Sequence, residues 1–135
     1  MKLSFVARLS CFAFLFLTLV PAELAAASRR IVLPEAGHST RLHGTIRGLN
    51  DRKCFLFEGR AGTIVKIELS GPGPLRGVVF FPSGGQDGAP GGVVFDRKLP
   101  DSGQYRLEVT ESSMGDTWAG NFSVTISVAP LVSTP

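Results

Sequence analysis

The chain has 135 residues, with 14 lysines and arginines against 11 acids and a formal net charge of +3. That length holds one domain, and so even a balance excludes the charge signature of a nucleic-acid binder. Two cysteines, Cys11 and Cys54, and two histidines, His38 and His43, leave little material for metal or thiol chemistry.

The first 27 residues read as a leader. Lys2 and Arg8 form a basic start, and residues 9–20 are a continuous apolar run. Pro21 breaks the run, and Ala25-Ala26-Ala27 supplies the small residues a signal peptidase needs. Twelve residues are too few to cross a bilayer, which takes about 20. Cys11 has Arg8 three residues before it and opens the run, which is wrong for lipid attachment. The expectation is a cleaved secretory signal over 1–27, cut after Ala27, and a periplasmic or secreted domain over 28–135 with no membrane span. That domain keeps 108 of the 135 residues, with 12 basic and 10 acidic side chains. Cys54 is its lone cysteine, so no internal disulfide can form. Its neighbours Phe55, Leu56 and Phe57 predict a buried thiol. The sequence leaves the oligomeric state open.

Residues 28–34 (SRRIVLP) form a short edge strand ended by Pro34. A turn follows over 35–39, then a strand over 40–47 (TRLHGTIR), where Gly44 predicts a bulge or a close backbone approach. Residues 48–53 are a polar turn, and 54–58 (CFLFE) a strand with Phe55 and Phe57 on one face. After a turn at 59–62, residues 63–70 alternate, with Val65, Ile67 and Leu69 inward. Gly71-Pro72-Gly73-Pro74 breaks the chain before an apolar strand at 75–81. Residues 82–92 (PSGGQDGAPGG) read as a loop long enough to bind or move, and 93–95 as a short strand.

At 99–109 a turn feeds directly into a strand. Pro100 fixes its own φ, and Asp101, Ser102 and Gly103 supply turn chemistry. Tyr105, Leu107 and Val109 then share one face. A second loop at 111–120 holds the single tryptophan, Trp118. Residues 121–128 close the domain, with Phe122, Val124, Ile126 and Val128 inward, and the tail to 135 carries no pattern. No stretch after the leader repeats at 3.6 residues. About eight short strands with turns roughly every 8–12 residues predict an antiparallel β-sandwich of jelly-roll-like form.

The same residues argue against catalysis. His38 and His43 lack further ligands at metal spacing. His38-Ser39 is an adjacent pair, and adjacent strand residues point apart, so no triad follows. Asp96, Asp101, Glu108 and Glu111 offer carboxylates but no sign of a walled cleft. The 82–92 loop lacks the lysine and helix of a phosphate loop, and Asp87 alone makes a poor calcium site. The expectation is a non-enzymatic protein without metal or cofactor.

The order of motifs carries a resemblance. Gly44-x-Ile46, Phe55-x-Phe57, Gly62 before Val65-x-Ile67-x-Leu69, Leu99-Pro100-x-Ser102-Gly103-x-Tyr105-x-Leu107-x-Val109 and Gly120-Asn121-Phe122-x-Val124 follow one another over about 37–128. Together they resemble the bacterial pre-peptidase C-terminal domain, a small β-sandwich of secreted proteins. Gly37-His38-Ser39 with Gly44-x-Ile46-x-Gly48 is similar to the start of the periplasmic inhibitors of g-type lysozyme. That likeness implies an inhibitor whose Ser102-Gly103-Gln104-Tyr105 element helps form a loop that enters the lysozyme cleft. The chain departs from the pattern twice. The turn after Gly48 reads Leu49-Asn50-Asp51 where the family has Tyr and Asp, and 111–120 has Glu111 and Asp116 where the family has arginines.

The candidate partner contacts are therefore Ser102, Gly103, Tyr105, Arg52 and Trp118. The alternative is an envelope module that binds glycan or another protein through the 82–92 and 111–120 loops. A purely structural reading of the Ser-Gly-x-Tyr element is also open: Gly103 makes the turn, Tyr105 packs inward, and Ser102 caps backbone groups. An inhibitor needs Ser102, Arg52 and Trp118 on one protruding surface, whereas a glycan site needs a groove floored by an aromatic ring.

Overall fold

A computed structural model describes residues 28–48, 50–112 and 117–132. The expected leader, Leu49, Asp116 and the last three residues lie outside them. No helix among the described residues is long and apolar enough to cross a membrane.

The chain forms nine strands: β1 (Arg29–Arg30), β2 (Ser39–Ile46), β3 (Arg52–Gly59), β4 (Ile64–Ser70), β5 (Leu75–Phe80), β6 (Gln86–Ala89), β7 (Gly92–Lys98), β8 (Gly103–Glu111) and β9 (Gly120–Val128). They make two sheets, ordered β1-β3-β8-β5-β6 and β2-β9-β4-β7. From β2 onward every pairing is antiparallel, and the strands divide between the sheets in jelly-roll order. The expected all-β sandwich is the observed fold.

Alternation selects the core. Along β8, Tyr105, Leu107 and Val109 are buried, and along β9 Phe122, Val124, Ile126 and Val128 are. They meet Phe55 and Phe57 of β3, Val65 and Ile67 of β4 and Phe95 of β7 in one cluster. Each such side chain contributes about 1.5–3 kcal/mol by leaving water. Phe57 and Tyr105, neighbours across β3 and β8, stack with ring centres 5.3 Å apart.

Two local expectations change, and a third is resolved between its alternatives. The 82–92 segment is not an open loop but a hairpin arm, because β6 pairs with β5 from Phe80↔Gln86 to Gly77↔Ala89. Its turn is closed by Phe81 N–H donating to Gly85 O at 2.8 Å. A strand carrying Gly88 shows no side-chain alternation, so its backbone pairing was silent in the sequence. At the other extreme, β1 spans two residues and runs parallel to β3. At Gly44 the register with β9 is unbroken, so the glycine marks close approach and not a bulge. The Phe122 ring lies where a Cβ would stand. The bulge falls instead in the β4–β7 pairing, between Ile67 and Glu68.

Cys54 is buried and free, as its apolar neighbours predict. Burial, reinforced by the nearby Glu108 charge, pushes its thiol pKa up and keeps the sulfur protonated.

Candidate functional site

The Ser-Gly-x-Tyr element sits at one end of the sandwich, between β7 and β8. The turn leaves β7 at Leu99, which is buried and tied to the β3–β4 turn. Leu99 N–H donates to Thr63 O at 2.8 Å, and Gly62 N–H donates to Leu99 O at 2.9 Å. Ser102 Oγ accepts a hydrogen bond from Ala61 N–H at 2.9 Å. Inside the turn, the Tyr105 hydroxyl donates to Asp101 O at 2.8 Å and accepts from Asp101 N–H at 3.0 Å. Gly103 follows at φ 141°, a conformation few other residues adopt. Pro100 and Ser102 stand exposed on top of this frame.

Tyr105 is fully buried, so its side chain holds the turn from beneath and is not itself a contact surface. Burial pushes its hydroxyl pKa up, and the Asp101 carboxylate adds to the rise against the Asp101 backbone bond and Arg97. Asp101 Oδ2 is shielded from solvent and accepts no hydrogen bond among the described residues.

The Ala61 bond brings a residue the sequence did not single out. Arg60 is exposed and immediately precedes Ala61. Beside the turn lies a cavity of about 670 Å³ whose lining includes Arg60, Thr63, Ile64, Lys98 and Pro130. This end therefore joins an exposed hydroxyl to two cations, Arg60 and Lys98. The Gly37-His38-Ser39 turn opens β2 at the same end, where Gly37 N–H donates to Val128 O at 2.9 Å. The sequence signal for Arg60 was only its place between two glycines, because the Ser102 contact spans 41 positions.

Trp118 and Arg52 lie at the opposite end. Arg52 pairs with Thr110, and Gly59 with Gly103, seven register steps away or about 23 Å at 3.3 Å per residue. Ser102, Arg52 and Trp118 therefore do not form one surface, so the contact expected from all three together is not there. An inhibitory contact can only be made by the Ser102 end, without Arg52 and Trp118. The half-buried Trp118 ring fills the space over Gly73 and Gly120, where an added Cβ would collide with it. Its N–H on the backbone donates to Glu111 Oε1 at 2.6 Å, and Glu111 is itself buried. Arg52 points onto the outer face of the five-stranded sheet, where it pairs with Glu108 at 3.3 Å. Neighbouring Asp51 accepts from Arg47 N–H at 2.8 Å and from Lys53 Nζ at 3.2 Å. Burial opposes the charge on Asp51, but these two partners outweigh it and hold its carboxyl pKa below the usual value.

Among the described residues no group of three or more histidines, cysteines or acids could hold a metal ion.

The frame that carries both ends is a β-sandwich similar in fold to two kinds of solved structure, periplasmic lysozyme inhibitors and a pre-peptidase C-terminal domain. Aeromonas hydrophila PliG, a periplasmic inhibitor of g-type lysozyme, matches with a TM-score of 0.57 and 20% identity over 76% of this chain and 99% of its own. Salmonella Typhimurium PliG, another such inhibitor, gives 0.56 and 21% over 74% and 97%. The pre-peptidase C-terminal domain of a Bacillus anthracis collagenase gives 0.52 and 20% over 75% and 93%. At these identities the likeness establishes the fold. No protein-family model matches the chain, and no curated protein matches it in sequence.

Proposed function

We propose that this chain is an exported, non-enzymatic inhibitor of g-type lysozyme, and that the 100–103 turn with Arg60 beside it is offered to the lysozyme cleft. The observation that carries the proposal is the double tether of that turn, by Tyr105 from beneath and by Ala61 from the side. A turn already fixed in shape loses little conformational entropy on insertion. Glycosidase clefts hold paired carboxylates, and Arg60 and Lys98 give this end the charge to meet them. Those cations stand in for the arginines that 111–120 lacks. The fold likeness to the PliG inhibitors supports the same reading, and the leader-like first 27 residues fit a periplasmic location.

The test is the rate at which a g-type lysozyme clears a cell-wall suspension. The purified protein slows clearing at micromolar concentration. Arg60→Ala raises the concentration needed about tenfold, the worth of one well-placed charge pair. No inhibition at micromolar protein overturns the proposal and leaves the envelope-module alternative.

A further inference from the structure

The strand register gathers a second surface that the net charge concealed. On the outer face of the five-stranded sheet, β8 presents Gln104, Arg106, Glu108 and Thr110 between its buried positions. Across it, Arg52 and Arg76 flank Thr110, and Leu56 and Phe80 flank Arg106. Arg30 of β1 stands beside Leu56 and donates to Gln104 Oε1 at 3.4 Å. Four arginines from four strands thus share one face with two acids, Glu58 and Glu108.

Their states differ. Glu108 is largely covered and is engaged by Arg52, which remains 57% exposed. Arg30, Arg76 and Arg106 make no ion pair among the described residues. Arg106 lies over the Phe80 ring, 4.3 Å from its centre, a contact that helps hold the guanidinium in place. The opposite sheet carries fewer cations at its centre: its Lys66 is paired with Glu68, its exposed Arg41 donates to Thr125 Oγ1 at 3.4 Å, and Ser123, Thr125 and Ser127 run along the middle.

We infer that this face binds an acidic polysaccharide. Guanidinium groups take carboxylates and phosphates through paired N–H bonds, which ammonium groups cannot match. Arg52 and Arg76 are two strand spacings apart, about 10 Å between Cα atoms, and Arg106 is about 13 Å along β8 from their row. One small anion cannot bridge that layout, whereas a polymer with a charge on each repeat can. The floor between the charges is half-buried Leu56, Val78 and Phe80, which suits the apolar faces of sugar rings. An acidic peptide would instead look for a free strand edge or a groove, and this face is the flat middle of a sheet.

The test measures retention of the purified protein on polygalacturonate, which carries carboxylates, and on phosphomannan, which carries phosphates, with dextran as the neutral control. The expected result is retention on at least one acidic polymer, weakening with salt, and none on dextran. The two acidic arms separate carboxylate from phosphate as the preferred group. Arg76→Ala with Arg106→Ala, both at exposed positions, weakens binding about tenfold. Arg41→Ala with Lys66→Ala removes the same charge from the other sheet and changes binding less than about twofold. Equal losses in the two double variants, retention on dextran, or no retention on either acidic polymer overturns the inference. So does tighter binding to polyglutamate, which makes an acidic protein the occupant.

Discussion

The two ends of the sandwich close their loops by different means. At the Ser102 end, hydrogen bonds to backbone fix an exposed polar turn. At the Trp118 end, an aromatic ring lies over two glycines and a buried carboxylate holds its backbone. The first arrangement leaves its tip free to meet a partner. The second uses up the side chain that would have been the natural anchor. A tryptophan in a loop is therefore not by itself a binding residue, since Gly73 from another segment and Gly120 two residues on can turn it into a lid.

The largest expected effect separates frame from tip. Tyr105→Ala should destabilise the protein by about 4 kcal/mol in urea unfolding, the cost of emptying an aromatic site in a packed core. Tyr105→Phe keeps the stack on Phe57 but strands the Asp101 N–H and C=O, and should cost about 1.5 kcal/mol. The same variant has a pH signature. The folded-state pKa of Tyr105 is raised, so its stabilising share is fully present below about pH 10 and is lost as the pH climbs through the higher folded value. Wild type should lose stability in that alkaline range, and Tyr105→Phe should lose less. Identical alkaline profiles would show that folding does not raise the Tyr105 pKa.

Next in size is Trp118→Ala, expected to cost about 2 kcal/mol because the ring is half-buried and its removal uncovers Gly73 and Gly120. Lysozyme inhibition should survive this change at temperatures where the variant stays folded. Loss of inhibition in a folded Trp118→Ala protein would move the contact to the other end and break the distinction drawn between them.

How much of this was legible in the sequence follows from the range of each signal. Tyr105, Leu107 and Val109 announce themselves locally, because alternation in one strand is a property of neighbours. So do Phe55 with Phe57 and the alternation of Phe122, Val124, Ile126 and Val128 along β9, and these point to a sandwich. What pairs with what is not local. Gly88 carries no side chain to alternate, so β6 read as loop. Ser102 meets Ala61 across 41 positions, so the placement of Arg60 beside the turn was invisible. Arg30, Arg52, Arg76 and Arg106 sit far apart in a chain of near-neutral charge, and only strand register puts them on one face. The same register places Arg52 and Trp118 at the end away from Ser102.

Ser102→Ala tests the tip with a smaller effect. It leaves Ala61 N–H without its acceptor at an exposed site, and about 1 kcal/mol of stability should go. Inhibition should weaken more than this loss explains, because the turn and Arg60 lose their mutual register. Full inhibition by Ser102→Ala would assign the serine to the frame and leave Arg60 and Lys98 as the contact.

The smallest effect belongs to the far end, where charge rather than packing holds the 47–51 turn. Asp51→Asn keeps an oxygen for Arg47 N–H but removes the attraction to Lys53, and should cost about 0.5 kcal/mol at neutral pH. The sign of its pH dependence is fixed by the direction of the shift. The Asp51 carboxyl is held below its ordinary value in the folded protein, so its contribution is present above about pH 4 and fades as the pH falls through the lower folded value. The stability gap between wild type and Asp51→Asn should therefore close on acidification. Salt should narrow the gap at neutral pH as well, since an exposed charge pair is screened while the Tyr105 hydrogen bonds are not. No gap at neutral pH would mean that the Arg47 N–H bond, which the variant keeps, and not the charge, holds this turn. The 47–51 turn would then resemble the Ser102 end in the force that holds it, and the Trp118 ring over Gly73 and Gly120 alone would set the two ends apart.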